Sequence, residues 1–146
     1  MASRFAIPRI LLVVSRPSRR DDERTMPEGQ SEPLSAEISY DDFRKVDIRV
    51  GTIVAAEPFP EARRPAYKLT VDFGPAIGTR RSSVQITQRY TLEELAGKQV
   101  AAVINFPKKQ IGKFMSEILV LGFPDENGSV VLIQPSLGVP NGGRLF

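Results

Sequence analysis

The sequence predicts a mainly all-β domain. The expected fold is a five-stranded Greek-key barrel of the OB type, with one short helix between strands three and four and a short N-terminal helical turn. Residues 46–56 and 67–73 alternate apolar and polar side chains with a period of two, as strands with one buried face do. Residues 91–97 fit a helix of barely two turns. A single helix in this place fits a small barrel better than an open sandwich.

The elements of the first half are predicted from local signals. Ser39 with an acid three residues later favours one helical turn before the first strand. The long strand around Gly51 is expected to carry a bulge or a sharp bend at that glycine. Two prolines frame a loop at 59–65, and residues 67–73 then place Tyr67, Leu69, Val71 and Phe73 on one face.

The second half contains shorter segments. Thr91 is a helix cap, an acid stands at the third helical position, and Gly97 ends the helix. A hairpin turn is predicted at 125–128. Strands are predicted at 79–86, 99–105, 117–121 and 130–133. Those at 99–105 and 117–121 are too apolar to have an exposed face, so they are expected in the centre of the sheet.

Composition excludes several classes of function. The 146 residues include no cysteine and no histidine. Disulfides, thiolate catalysis, Ser-His and Cys-His constellations and His- or Cys-based metal sites are therefore impossible. No glycine-rich phosphate loop of either common pattern is present. We expect a protein that is not an enzyme and holds no cofactor or metal; a weak enzyme alternative would depend on carboxylates such as Asp47 and Glu117.

Residues 1–35 differ from the rest of the chain. The apolar run Ile10 to Val14 is too short to span a bilayer and lies behind Pro8 and Arg9. A polar stretch with little to bury follows it. We expect 1–35 to be a disordered or weakly ordered extension and 36–146 to be the folded domain. No membrane insertion and a cytoplasmic location are expected.

A lysine-rich loop lies between two aliphatic runs, at residues 105–117. Pro107 and Gly112 shape it, and aromatic residues interleave with Lys108, Lys109 and Lys113. Such a composition suits phosphate contacts by the lysines, with an exposed Phe106 or Phe114 stacking on an unpaired base. The alternative is a solvated loop whose Phe114 and Met115 plug one end of the barrel.

A second basic cluster is predicted from the loop after strand one and the outward faces of strands two and three. Adjacent strands bring their outward residues together, and like charges at close range favour an anionic partner. In the alternative, Glu57, Glu61 and Asp72 neutralise them as ordinary surface ion pairs. The cluster consists of Arg63, Arg64, Lys68, Arg80 and Arg81.

Residue spacing and loop composition predict two further features. Asp47 and Arg49 lie two apart on one strand and are expected to form a structural salt bridge rather than an RNA contact. Loop residues framed by prolines are hard to bury and could hold apolar polypeptide segments, unless dimerisation covers them. These candidate peptide-binding residues are Phe59, Pro60, Phe106, Pro107, Ile111 and Phe114.

Several motifs in one order resemble the CsaA family, which belongs to the wider tRNA-binding-domain group of OB folds. The resemblance covers about Ile38 to Phe146 and does not include the N-terminal extension. Its motifs are Phe43 to Ile53, Phe59 to Arg63, Lys68-Leu69, Asp72 to Gly74, Ser82 to Thr87, Asn105 to Pro107, Ser116 to Gly122 and Val139 to Gly142.

The resemblance implies a homodimeric, non-enzymatic binding protein with two roles. One is to hold unfolded polypeptides or preproteins for export, and the other is to bind tRNA or another structured RNA. A dedicated RNA-binding module is the alternative. In tRNA-binding domains the matching loop carries an Asn, basic residues and then a Ser before the next strand. Asn105, Lys108, Lys109, Lys113 and Ser116 occupy those places here.

Overall fold

The structure is a computed structural model and describes residues 32–146. Most of the predicted extension 1–35 lies outside the described residues, and residues 32–39 are exposed without helix or strand. The helices are α1 (Tyr40–Arg44) and α2 (Leu92–Leu95). The strands are β1 (Ile48–Pro58), β2 (Tyr67–Asp72), β3 (Thr79–Val84), β4 (Gln99–Val103), β5 (Lys109–Ile111), β6 (Phe114–Ser116), β7 (Leu119–Val120), β8 (Gly122–Pro124) and β9 (Val130–Leu132).

Five strands form a nearly closed antiparallel barrel. The sheet order is β3-β2-β1-β4-β7, and every neighbouring pair is antiparallel. The barrel closes where the segment before β7 meets β3: the Glu117 amide donates to the Arg81 carbonyl at 2.8 Å, and Ser82 Oγ donates to the Ile118 carbonyl at 3.1 Å. The predicted OB-type barrel is therefore confirmed.

One apolar core fills the barrel. The period-two prediction for β2 is confirmed, because Leu69, Val71 and Phe73 are fully buried whereas the residues between them are partly exposed. Ile53, Val100 and Leu95 complete the same core from β1, β4 and α2. The short helix thus closes one part of the barrel by inserting its last leucine.

Local capping signals predicted both helices correctly. In α1, Ser39 Oγ accepts from the Asp42 amide at 3.1 Å, and the Asp42 carboxylate accepts from the Ser39 amide. At α2, the Thr91 amide donates to Glu94 at 2.7 Å. Gly97 follows with a φ of 94°, a conformation that favours glycine.

The bulge of β1 is not at Gly51, as the sequence predicted, but between Ile53 and Ala55, where the pairing with β2 shifts register. Gly51 serves close packing instead. A Cβ atom there would lie 2.7 Å from both Phe73 Cδ1 and Val71 Cγ1. Only a residue without a side chain lets β1 approach the core of β2 this closely.

The segment 105–117, predicted as a loop, contains the hairpin β5–β6. Ile111 pairs with Phe114 across a turn at Gly112, whose φ is 61°. Among residues 32–146, none of the helices has the length and apolar character needed to cross a bilayer.

Candidate nucleic-acid interface

A small aromatic cluster outside the main core joins the β1–β2 loop to the hairpin β5–β6. The rings of Phe59 and Phe114 are tilted by 59° with centroids 5.3 Å apart. Ala66 is buried with them, and Ala62 and Ile111 pack at the edge. Because its members come from two distant segments, this aromatic cluster fixes the hairpin against the loop.

Two cations cover the aromatic cluster from the outward face of the sheet. Lys68 Nζ lies 5.0 Å from the Phe59 centroid and 5.6 Å from that of Phe114. The Arg81 guanidinium lies 4.8 Å from the Phe114 centroid and 3.3 Å from Glu57 Oε1. These positions allow cation–π attraction, so both cations already have partners within the protein.

Glu117 and Ser116 attach the hairpin to β3. Glu117 Oε1 accepts from the Arg81 amide at 2.8 Å, and its Oε2 lies 3.6 Å from Lys108 Nζ. Ser116 Oγ accepts from the Ser83 amide at 3.1 Å. Sequence reasoning missed this role of Glu117; the signal was an acid directly after the hairpin, next to three lysines.

The start of the segment is held by Asn105, which uses both ends of its side-chain amide. Oδ1 accepts from the Asp47 amide at 3.0 Å, and Nδ2 donates to the Lys45 carbonyl at 2.8 Å. Pro107 fixes a backbone φ two residues later. Phe106, between these two constraints, remains 50% exposed.

Four exposed cations of the predicted set belong to the two segments that form the aromatic cluster. Arg63 and Arg64 follow Ala62, and Lys109 and Lys113 belong to the hairpin that carries Ile111. In the described part of the chain, none of these four has a carboxylate within 4.0 Å. We call the surface made by Arg63, Arg64, Lys68, Arg81, Lys108, Lys109 and Lys113 the basic face.

Arg80 was predicted to belong to this cluster, and that placement is wrong. It pairs with Val71, which is fully buried, whereas Arg81 pairs with Thr70 on the outward side. Successive residues of a strand point to opposite faces, so two adjacent arginines cannot share one. Arg80 instead donates to the Ile77 carbonyl at 3.5 Å.

The expectation that all six candidate peptide-binding residues are exposed is also corrected. Phe59 and Phe114 are only 5% and 6% exposed, because they bury one another. Ile111 is half-buried against them, while Phe106, Pro60 and Pro107 are exposed. Phe114 therefore lacks the free ring face that base stacking requires.

The predicted Asp47–Arg49 salt bridge is confirmed, with 2.6 Å between Asp47 Oδ1 and Arg49 Nε. Arg144 Nε lies 3.6 Å from the same oxygen. The hydrogen bond from Arg49, aided by the charge of Arg144, holds the pKa of Asp47 below its ordinary value of 3.8 against a smaller opposing effect of burial. Arg49 also donates to the Gly142 carbonyl at 2.9 Å, so the site ties the C-terminal segment to β1.

An apolar groove of about 380 Å³ lies beside this ion pair. It runs between the start of β1, β4 and the C-terminal segment. Val139 and Leu145 are 42% and 43% exposed there. The lining includes Ile48, Val50, Ala101, Ile133, Val139 and Leu145.

An OB-type barrel with exposed cations beside a hairpin is an architecture that nucleic-acid-binding modules share. The chain belongs to the putative tRNA-binding domain family, whose model matches residues 48–144. The predicted resemblance is confirmed by this match together with the solved structures below.

Two crystal structures of CsaA chaperones are similar to the chain. The protein from Bacillus anthracis strain Ames is 49% identical with a TM-score of 0.71, and the match covers 76% of this chain and 100% of that one. The protein from Picrophilus torridus is 48% identical with a TM-score of 0.70, covering 75% and 100%.

The chain also matches part of a longer enzyme. It is 34% identical over 116 residues to the methionine–tRNA ligase of Porphyromonas gingivalis, a match that covers 80% of this chain. The match spans only 17% of the ligase.

Proposed function

We propose that the protein binds tRNA or another structured RNA on the basic face and does not transform it. The observation that carries this proposal is the placement of Arg63, Arg64, Lys109 and Lys113. All four are exposed in the two segments that meet at the aromatic cluster, and none is matched by an acid among residues 32–146. Membership of a tRNA-binding domain family supports the same partner.

The residues of the basic face divide by role. Lys109, Lys113, Arg63 and Arg64 contact phosphates, because no internal ion pair competes for their charge. Lys108 contacts a phosphate less favourably, because it must first give up its ion pair with Glu117. Asn105 and Ser116, predicted as RNA ligands, contribute mainly by holding the segment, because their side chains already bond to the backbone at Asp47, Lys45 and Ser83.

The salt dependence of tRNA binding tests this role. Replacing Lys108, Lys109 and Lys113 by alanine should weaken binding and lower the slope of log K against log salt by roughly 0.7 to 0.9 for each phosphate that the protein no longer neutralises. Lys98→Ala is the matched control, because it removes a lysine outside the basic face and should leave the slope unchanged. An unchanged slope in the triple variant would refute the role of these lysines.

A second function, chaperone activity on unfolded polypeptides in export, is favoured by the similarity to two CsaA chaperone structures. In this proposal the protein is a cytoplasmic homodimer, and the apolar groove is where two copies meet. The exposed Phe106, Pro60 and Pro107 would contact clients.

Two measurements test this second function. The protein should suppress aggregation of a denatured client at stoichiometric amounts without nucleotide; absence of suppression would count against it. Leu145→Asp places a charge in the groove and should convert the dimer to a monomer in light scattering. A wild type that is monomeric at high concentration would refute the dimer.

A non-enzymatic role is part of the proposal. The carboxylates considered for catalysis are occupied, since Asp47 binds Arg49 and Glu117 binds the Arg81 amide. Turnover of a nucleotide or peptide by purified protein would overturn it.

A further inference from the structure

Phe106 differs from Phe59 and Phe114, because it is half exposed while the residues on both sides of it are constrained. Asn105 makes two hydrogen bonds, of 3.0 and 2.8 Å, to the backbone of Asp47 and Lys45 in the connection between α1 and β1. Pro107 restricts the backbone on the other side of Phe106. Because the backbone on both sides of Phe106 is already constrained, little further conformational entropy is lost when a partner binds the ring.

Three lysines belong to the two segments that Asn105 joins next to Phe106. Lys108, two residues later, has a side chain that is 61% exposed and lies 3.6 Å from Glu117 Oε2, an ion pair that it must give up to contact a phosphate. Lys109 is exposed beside it. Lys45, whose carbonyl is bonded to Asn105, has a side chain that is 77% exposed. Lys45 Nζ lies 3.2 Å from Asp42 Oδ1. Because this ion pair is exposed to solvent, it holds Lys45 only weakly.

We propose that Phe106 is a stacking platform for one unpaired RNA base, whose flanking phosphates are contacted by Lys108 and Lys45. An aromatic face stacks on any base, and adjacent ammonium groups meet the backbone on either side. A base inside a duplex has both faces covered, so only an unpaired nucleotide has a face free for the ring. This inference rests on the proposed RNA-binding function and names the part of the RNA that the protein distinguishes.

The same exposed ring suits an apolar segment of a polypeptide, and the two occupants differ in what they require. Stacking on a base needs an aromatic plane, whereas an apolar side chain is satisfied by any hydrophobic residue of similar size. The charges beside Phe106 favour the anionic partner. Substituting leucine or tryptophan for Phe106 therefore distinguishes an RNA base from a polypeptide segment as the occupant.

The test compares two labelled RNA probes, a hairpin with an open loop and a blunt duplex with the same stem. Phe106→Ala should weaken binding of the hairpin about tenfold or more, the loss expected for one base–aromatic stack, and leave the duplex unchanged. Phe106→Leu should bind the hairpin as weakly as the alanine variant, and Phe106→Trp should retain wild-type binding. Met115→Ala is the control, since Met115 is 42% exposed on the hairpin and lies outside the proposed contact.

Each other outcome overturns the inference. Equal losses on hairpin and duplex, or full binding by Phe106→Leu, would show that the ring does not stack on an unpaired base. Binding of an unfolded polypeptide that falls in Phe106→Ala and returns in Phe106→Leu would assign the ring to polypeptide holding. If the wild type binds neither RNA, the proposed function itself fails. If the wild type binds RNA but the Phe106 variants bind it equally well, only the inference about Phe106 fails.

Discussion

The aromatic cluster and the Phe106 segment have the same kinds of residues and opposite arrangements. In the cluster, Phe59 and Phe114 bury one another, and Lys68 and Arg81 lie over their rings. In the segment, Phe106 keeps half its surface exposed beside lysines. Phenylalanine and lysine therefore stabilise the protein in one region, whereas in the other the ring stays half exposed and Lys108 is held only by a 3.6 Å ion pair with Glu117.

The largest expected difference in stability is between the alanine variants of Phe114 and Phe106. Phe114→Ala should lower the free energy of unfolding by about 3 kcal/mol, because it leaves a cavity beside Phe59. Phe106→Ala should change it by no more than about 0.5 kcal/mol, since half the ring already faces water. Denaturant unfolding measures both. Equal losses would remove the distinction between the two regions.

Asp47 links its ion pair with Arg49 to the Phe106 segment, because the Asp47 amide donates a hydrogen bond to the side chain of Asn105. Asp47→Asn should destabilise the protein by about 2 kcal/mol, through loss of charged hydrogen bonds from Arg49. The matched control is Asp42→Asn, whose partner Lys45 is exposed and whose loss should be small. Thermal unfolding of the two variants separates a structural ion pair from a surface one.

The pH dependence of the same group has a definite sign. The pKa of Asp47 is lowered in the folded protein, so the ion pair contributes its full stability above the ordinary value of 3.8. That contribution is lost as the pH falls below 3.8 toward the lower folded pKa. Asp47→Asn should flatten the stability profile in this acidic window and leave its shape near neutral pH unchanged. A profile that keeps its wild-type acid limb would contradict this assignment.

A smaller difference is expected between two lysines of the basic face. Lys68→Met removes a cation from the aromatic cluster and should cost about 0.5 to 1 kcal/mol. Lys109→Met should lie within about 0.5 kcal/mol of wild type, yet weaken RNA binding more. Unfolding and binding measured on the same samples check this, and the reverse order would show that the two roles are exchanged.

The smallest effect is expected at Glu117. Glu117→Gln keeps an acceptor for the Arg81 amide and loses only the pairing with exposed Lys108, so stability should change by less than about 0.5 kcal/mol. The freed lysine should make RNA binding tighter and more salt-dependent. Weaker RNA binding in this variant would contradict that interpretation.

Local patterns predicted the fold well. The two capped helices, the alternation of β2 and the turn at 125–128 each depend on residues within a few positions of one another. The hairpin β5–β6 was missed, because its strands are three residues long and its turn lacks the usual Asn-Gly signal. The bulge in β1 depends on the pairing with β2, which the sequence of β1 does not contain.

The candidate site was predicted in part. Most of the predicted cations do belong to the segments that form one cluster, but the sequence could not show that Phe59 and Phe114 meet, since they lie far apart along the chain. The misplacement of Arg80 was avoidable, because the period of β3 separates it from Arg81. The roles of these residues in binding RNA stay predictions.

The most direct test of the basic face compares tRNA binding by two variants across a range of salt concentrations. Replacing Arg63, Arg64, Lys109 and Lys113 together by alanine should lower the slope of log K against log salt by roughly 3. Arg80→Ala should leave the slope as in wild type, because Arg80 lies on the opposite side of β3. A slope that the fourfold variant leaves unchanged, or that Arg80→Ala lowers by roughly 0.7 to 0.9 as the loss of one phosphate contact would, contradicts the account.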